Sequence, residues 1–152
     1  MNLLEQIKPA LNAGNLQDVL HRTMEHFRAD TGTIHLLASD GVLHLQAASA
    51  GIPEPVLQAV QLVPIGKGMA GLAVQRKEPV SVCNLQTDNS GNARPGARAT
   101  GMEGALVVPI LSGDRAVGAL GIANRAPRTF TQEETALLID VGRAIARSLL
   151  VK

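Results

Sequence analysis

Apolar residues recur at helical spacing in two stretches near the start of the chain. The first stretch contains Pro9, which predicts a helix that is kinked or ended near its middle. The second begins after Asn15, a residue type that caps helices, and Gly32 suits the position just past its end. We therefore predict N-terminal helices within residues 1–30.

The last stretch of the chain has the same periodicity. Thr131 and Glu134 have the spacing of a capping box, which predicts a C-terminal helix over residues 131–151. Apolar residues cover more than half of its circumference, which is more than one sheet can bury. The N-terminal stripe from Leu3 to Leu11 has little core of its own to join. These surplus surfaces predict a homodimer through a bundle of the terminal helices.

Apolar and polar residues alternate on both sides of the Asp-Gly pair at residues 40–41, which predicts a β-hairpin. A two-residue turn there pairs Leu37 with His44 and His35 with Gln46. The opposite face is apolar and must be buried: Ile34, Leu36, Leu43 and Leu45. A polar ligand could bind the mixed face, so His35, His44 and Gln46 are candidate binding residues. The alternative is that the histidines bond to solvent or to the backbone.

The segment PIGKGMAGLAV joins a glycine turn to an amphipathic helix, predicted from Met69 to Arg76 and stopped by Pro79. Free N–H groups at the start of this helix would face a small molecule above the turn, so Gly68, Met69 and Ala70 are candidates. The glycines also match a dinucleotide-binding fingerprint. Because a proline interrupts the preceding run and the helix is short, a turn that packs a helix closely on a sheet is the better interpretation.

A long loop and two apolar strands follow. Residues 84–101 are rich in Gly, Pro and Asn, and predict an unstructured loop that acts as a lid or binding segment. Arg94 and Arg98 could clamp a carboxylate or phosphate there, or be solvated surface residues. The run Gly104–Ile110 predicts a central strand covered on both faces. Small residues flatten the next strand, so that helices can approach or a cavity can open above it: Gly118, Ala119, Gly121 and Ala123.

Composition narrows the classes of function. The chain has 152 residues and is 45% hydrophobic, which predicts a single domain over residues 1–152. A net charge of +1 without a basic patch argues against nucleic acid, and no apolar run is long enough to span a membrane. The N-terminus lacks a signal-peptide pattern, so we expect the cytoplasm. The single cysteine, Cys83, ends the short strand Val80–Val82 and is expected to be a buried filler. No metal or cofactor is expected.

Three segments resemble the GAF domain family: PIGKGMAGLAV, ALVVPILSGDRAVGALGIAN and RTFTQEETALL. The resemblance extends over nearly all of the chain. It implies an α+β fold similar to PAS domains, with an antiparallel sheet of about five to six strands. Terminal helices would lie on one face, and short helices plus a long loop would enclose a ligand pocket on the other. GAF domains commonly act as sensory or regulatory modules and often dimerise through terminal helices.

Free methionine-R-sulfoxide reductases are enzymes on this scaffold, and the chain departs from their pattern. Ala70 stands where these enzymes have a cysteine in the glycine turn, and Arg98 stands near the place of their attacking cysteine. Gly121 and Ala123 take the places of their acidic residues. A thiol mechanism would lack its thiolate and its resolving partner, so we expect no enzymatic activity.

Two other subgroups of the family are also poor matches. Bilin-binding members need an anchoring cysteine and an aromatic-rich pocket, and the chain has no Trp or Tyr. Cyclic-nucleotide-binding members share a pattern that five residues match loosely: Asn124, Arg125, Phe130, Glu133 and Glu134. Phe130 and the glutamates also mark the start of the C-terminal helix, which favours a structural role.

We therefore predict a non-enzymatic sensory domain that binds a small polar or anionic effector and signals through a helix-mediated homodimer to a downstream protein. The candidate ligand-binding residues are His35, His44, Gln46, Gly68, Met69, Ala70, Arg94, Arg98 and Met102. The main alternative is a ligand-free scaffold for association. A pocket filled by Met69, Leu72 and Met102 would favour that alternative.

Overall fold

The computed structural model describes residues 1–93 and 95–150, without the side chain of Pro95, and within these ranges six strands form one antiparallel sheet. The strands are β1 (Thr31–Leu37), β2 (Val42–Ala48), β3 (Leu62–Pro64), β4 (Val80–Val82), β5 (Gly104–Ser112) and β6 (Arg115–Asn124). Their order is β3-β2-β1-β6-β5-β4, so β1 and β6 lie at the centre of the sheet.

Helices cover both faces of this sheet. They are α1 (Leu3–Asn12), α2 (Leu16–Phe27), α3 (Glu54–Ala59), α4 (Gly68–Arg76), α5 (Gln132–Leu150) and the 3₁₀ helix Pro95–Thr100. The terminal helices α1, α2 and α5 pack on one face, and the short helices lie on the other. The predicted α+β architecture is therefore confirmed. None of the described helices has the length and apolarity needed to cross a membrane.

Helix α1 belongs to the main core and is not a spare helix. Leu3 and Ile7 are buried in one cluster with residues of α2, α5 and the sheet. The helix also continues through Pro9, which the sequence predicted would kink or end it. Burial of Ile7 and Ala10 on either side offsets the hydrogen bond that proline cannot donate. The expectation that this stripe has little core to join was wrong.

Helix α2 starts as predicted but ends differently. The Asn15 side chain accepts a hydrogen bond from the Asp18 N–H, which confirms the cap. The residue that ends the helix is Arg28, in the left-handed conformation at φ 55°, and not Gly32. Gly32 lies in β1, where a Cβ would approach Leu20 Cδ1 to 2.9 Å. Glycine at this position therefore lets α2 pack closely on the sheet.

The β1–β2 hairpin has a three-residue loop instead of the predicted two-residue turn. The Ala38 N–H donates to Val42 O and the Gly41 N–H donates to Ala38 O, with Gly41 at φ 78°. Beyond a bulge between Ile34 and His35, the strands return to the predicted register, with Ile34 opposite Ala47 and Thr33 opposite Ala48.

This one-residue difference changes which side chains share a face. His44 lies opposite Leu36, not Leu37, and Leu36 packs against the terminal-helix core. Leu43 is buried beside α4 and lies opposite the half-buried Leu37. The predicted mixed face, which grouped His35 with His44, was therefore wrong.

The described part of the segment 84–101 has more regular structure than predicted. It contains the 3₁₀ helix, and Leu85 is buried. The Gln86 side chain holds the far end of the segment, because its Nε2 donates to Met102 O at 2.8 Å and to Arg98 O at 3.1 Å. Arg94 lies outside the described residues.

The glycine turn before α4 forms as predicted. Gly66 and Gly68 have positive φ angles of 86° and 66°. Gly71 packs so closely that a Cβ there would lie 2.4 Å from Pro64 O. These glycines place the amino end of α4 directly against the sheet.

Candidate functional site

A cavity of about 490 Å³ lies between the sheet, α3, α4 and the 3₁₀ helix. Its floor includes four small residues on β1, β5 and β6, with Val107 of β5 beside them: Thr33, Ala105, Gly121 and Ala123. Large side chains of the same strands, such as Leu106 and Leu120, fill the core on the opposite face. Because side chains alternate between the faces of a sheet, small residues at every second position leave a hollow on one side only. The structure agrees with the prediction that a cavity can open above β6.

The walls of the cavity are mostly apolar. Helix α3 contributes Pro55, Val56 and Ala59, and Val60 follows at its carboxyl end. The other walls come from the amino end of α4, the 3₁₀ helix and two buried side chains: Lys67, Gly68, Met69, Ala70, Gly96, Ala97, Ala99, Thr100, Leu85 and Met102. Among the described lining residues, Lys67 is the one lysine, arginine or carboxylate side chain, and it is exposed.

His35 is the buried titratable residue of the lining, with only 3% of its surface exposed. Its Nε2 lies 2.8 Å from Val60 O. Since a carbonyl oxygen only accepts hydrogen bonds, Nε2 carries the proton, and Nδ1 of the neutral ring is an acceptor. Nδ1 is buried and has no hydrogen-bond partner among the described residues. Burial lowers the pKa of His35, although the Val60 hydrogen bond opposes this effect. A neutral imidazole thus ties the carboxyl end of α3 to the centre of the sheet.

Two candidates from the hairpin lie away from the cavity. The His44 Nε2 is 2.8 Å from Asp40 Oδ2, across the hairpin loop. This hydrogen bond lowers the pKa of the exposed Asp40 carboxyl. Gln46 is exposed, and neither His44 nor Gln46 lines the cavity. The sequence grouped these two side chains with His35 because the longer loop and the bulge were not predicted.

The predicted arginine clamp does not form from Arg98. This side chain is exposed, and its Nη2 donates to Asp88 O at 3.0 Å within the same segment. The neighbouring residues Ala97 and Ala99 line the cavity, but Arg98 does not. Arg94 lies outside the described residues.

Cys83 is exposed, contrary to the expectation of a buried filler. Its Sγ accepts a hydrogen bond from Thr129 Oγ1 at 3.7 Å, and it does not line the cavity. The described residues also contain no group of three His, Cys, Asp or Glu side chains that could hold a metal ion.

Of the residues that resemble a cyclic-nucleotide pattern, Phe130, Glu133 and Glu134 lie at the start of α5, whereas Asn124 ends β6 and Arg125 follows it. Thr131 and Glu134 form the predicted capping box, with reciprocal bonds of 2.9 and 3.1 Å. Arg128 joins this box to the rest of the fold, because it donates to Glu134, to Asn124 Oδ1 and to Phe27 O. Its guanidinium also lies 4.3 Å from the centre of the Phe130 ring. None of these residues lines the cavity, which supports the structural interpretation.

Five of the nine candidate residues line the cavity: His35, Gly68, Met69, Ala70 and Met102. Sequence reasoning missed the wall formed by α3, because the short PEPVLQAV segment has too few residues to show a buried face. It also missed the small residues of the 3₁₀ helix, which looked like ordinary loop residues. The alternation of small residues in β6 was the signal that did indicate the floor.

The GAF domain family model matches residues 13–149, so the chain belongs to the GAF domain family. The fold is similar to that of a GAF domain from an Acinetobacter phosphoenolpyruvate-protein phosphotransferase, with a TM-score of 0.80 and 20% identity over 98% of this chain and 91% of that one. The GAF domain of the Coxiella burnetii phosphoenolpyruvate-protein phosphotransferase has a TM-score of 0.79 and 24% identity, over 98% of this chain and 91% of that one. No curated protein sequence matches the chain significantly.

An enzyme also has this fold. The free methionine-R-sulfoxide reductase from Neisseria meningitidis, solved with its substrate, gives a TM-score of 0.79 and 18% identity over 97% of this chain and 86% of that one. At these identities the likeness to solved structures shows the fold alone. The GAF fold is a sensory and regulatory fold, and the activity of this chain must be argued from its own residues.

Proposed function

We propose that this GAF domain is a non-enzymatic sensor that binds a small-molecule effector in the cavity between the sheet, α3, α4 and the 3₁₀ helix. The observation that carries the proposal is the cavity itself. About 490 Å³ is within the usual range for small-molecule sites, and small residues of the central strands form much of the floor. A domain that needed only a stable core would fill this space, because empty apolar volume is destabilising.

A ligand-free scaffold is the second candidate, and the lining argues against it. Met69 and Met102, which would fill the pocket of a scaffold, instead stand at its walls. The terminal helices also offer less spare apolar surface than predicted, since α1 is part of the core. A homodimer through these helices, and a downstream protein that reads it, stay predictions. Leu150, which is 74% exposed near the end of α5, is the main support for such a contact.

A sulfoxide reductase is the enzymatic alternative. The only cysteine of the chain, Cys83, is exposed outside the cavity. Ala70, Gly121 and Ala123 line the cavity, but none of them can act as a nucleophile or balance a charged substrate. The site therefore has the shape of a binding pocket without the groups for thiol chemistry.

The proposal is tested with the purified protein and two matched variants. Native mass spectrometry and a thermal-shift screen of small molecules should find a compound that is retained or stabilises the protein. Ala123→Leu should remove its effect by filling the floor of the cavity. Ala126→Leu is the control, because Ala126 is exposed and lies outside the lining. Stabilisation that is equal in both variants would exclude the cavity as the binding site. Reduction of free methionine sulfoxide by the wild type would contradict the non-enzymatic assignment.

A further inference from the structure

The chemistry of the cavity wall limits which molecules it can hold. The polar side chains among its described lining residues are few: Thr31, Thr33, His35, Lys67 and Thr100. Lys67 is exposed, so its ammonium group is free to remain in water while its stem borders the cavity. No carboxylate is present among the same residues. A charged group carried into this space would lose its hydration and find no buried counter-charge among the described lining residues, which is strongly unfavourable.

His35 does not supply that missing charge. Its ring is deeply buried, its Nε2 proton is used by Val60 O, and burial lowers its pKa. An imidazole held neutral in this way brings no positive charge to the cavity. On the α4 side of the cavity, the peptide N–H groups of Gly68 to Ala70 lie in the first turn of the helix and have no partners within it. They can donate to a carbonyl or hydroxyl oxygen without requiring an anion.

The shape of the floor points to the same class of ligand. Gly121 and Ala123 offer a flat surface of small groups on the sheet, and the walls from α3 and the 3₁₀ helix face it with apolar side chains such as Val56 and Ala97. A flat apolar body placed here would bury its faces on both sides. The volume suits a molecule of two or three rings.

We propose that the effector is an uncharged, mostly apolar molecule with at most one polar edge, held flat between the β6 floor and the wall of α3 and the 3₁₀ helix. This inference rests on the proposed function, since it names the ligand class of the same cavity. It differs from the anionic effector that the sequence predicted from Arg94 and Arg98: Arg98 bonds to Asp88 O outside the lining, and Arg94 lies outside the described residues.

The test uses two fluorescent probes that differ by one charged group. N-phenyl-1-naphthylamine is neutral, and 8-anilino-1-naphthalenesulfonate is the same ring system with a sulfonate. Each is titrated into the wild-type protein, into Ala123→Leu and Ala97→Leu, which fill the cavity from opposite walls, and into Ala126→Leu. Circular dichroism of all variants verifies folding, and two filling variants keep the test valid if one of them does not fold.

We expect the neutral probe to bind the wild type at least about tenfold more tightly than the sulfonate, because of the cost of burying an unpaired charge. Each filling variant should weaken the neutral probe by about tenfold or more, and the control should stay within about twofold. Tighter or equal binding of the sulfonate, lost in the filling variants, would overturn the ligand class but leave the cavity as a binding site. If neither probe binds, or if both bind the filling variants as they bind the wild type, the proposed function fails together with this inference.

Discussion

Filling the cavity should stabilise the unliganded domain, because the space above β6 is already formed. Ala123→Leu adds three carbon atoms, and each buried carbon contributes about 0.8 kcal/mol, or about 2.4 kcal/mol in all. Ordering the leucine side chain costs about 0.5–1 kcal/mol. The free energy of unfolding should therefore rise by about 1.5 kcal/mol. For a domain of this size, that gain raises Tm by about 3–6 °C.

The assay is thermal and urea unfolding followed by circular dichroism, on protein that native mass spectrometry shows to be free of ligand. Ala126→Leu should change the free energy of unfolding by less than about 0.5 kcal/mol, because it alters only the surface. Together with lost ligand binding, higher stability of Ala123→Leu would indicate a cavity kept open for function at the expense of stability. A loss of more than about 1 kcal/mol would mean that leucine overpacks this site, and that the hollow does not exist in solution.

Three further predictions concern the framework of the site. Burial lowers the pKa of His35 in the folded protein, so as the pH falls the unfolded chain is protonated at His35 before the folded chain. The contribution of neutral His35 to stability is therefore complete above about pH 6.5 and is lost as the pH falls below that value. The free energy of unfolding, measured with urea between pH 7.5 and 5, should change less steeply with pH in His35→Phe than in the wild type. An equal pH dependence in the two proteins would refute the lowered pKa of His35. Ile7→Ala should lower the free energy of unfolding by about 2–5 kcal/mol, and Leu4→Ala should lower it by less because Leu4 is only half-buried. A small effect of Ile7→Ala would mean that α1 is not part of the core. Thr131→Ala should lower the free energy of unfolding by about 0.5–2 kcal/mol by removing the cap of α5, and Thr131→Ser should keep most of this stability. An equal loss in both variants would mean that the hydroxyl group is not responsible.

The sequence predicted the architecture well where local signals and packing agree. Three local features form as the sequence predicted, because each depends on a few neighbouring residues: the Asn15 cap, the glycine turn before α4 and the capping box at α5. The all-apolar run of β5 likewise required a strand covered on both faces. These elements were enough to indicate the family and the side of the sheet on which a cavity opens.

Errors arose where one residue or one distant contact decides the outcome. A three-residue loop at the Asp-Gly pair, in place of a two-residue turn, moved His44 to the opposite face from His35. Pro9 does not interrupt α1, because burial of Ile7 against distant helices outweighs the lost hydrogen bond. Arg98 suggested an anion site by its charge alone, but its side chain bonds to Asp88 O instead. Local patterns cannot supply such long-range information.

The most direct test of the account is a crystal structure of the protein with N-phenyl-1-naphthylamine. We predict density for the rings on the floor formed by Gly121 and Ala123, below α3 and beside the 3₁₀ helix, with the His35 bond to Val60 O intact. Density for Met69 and Met102 filling this space, with the probe bound elsewhere or absent, would contradict the central claim that the fold holds an open site for an uncharged effector.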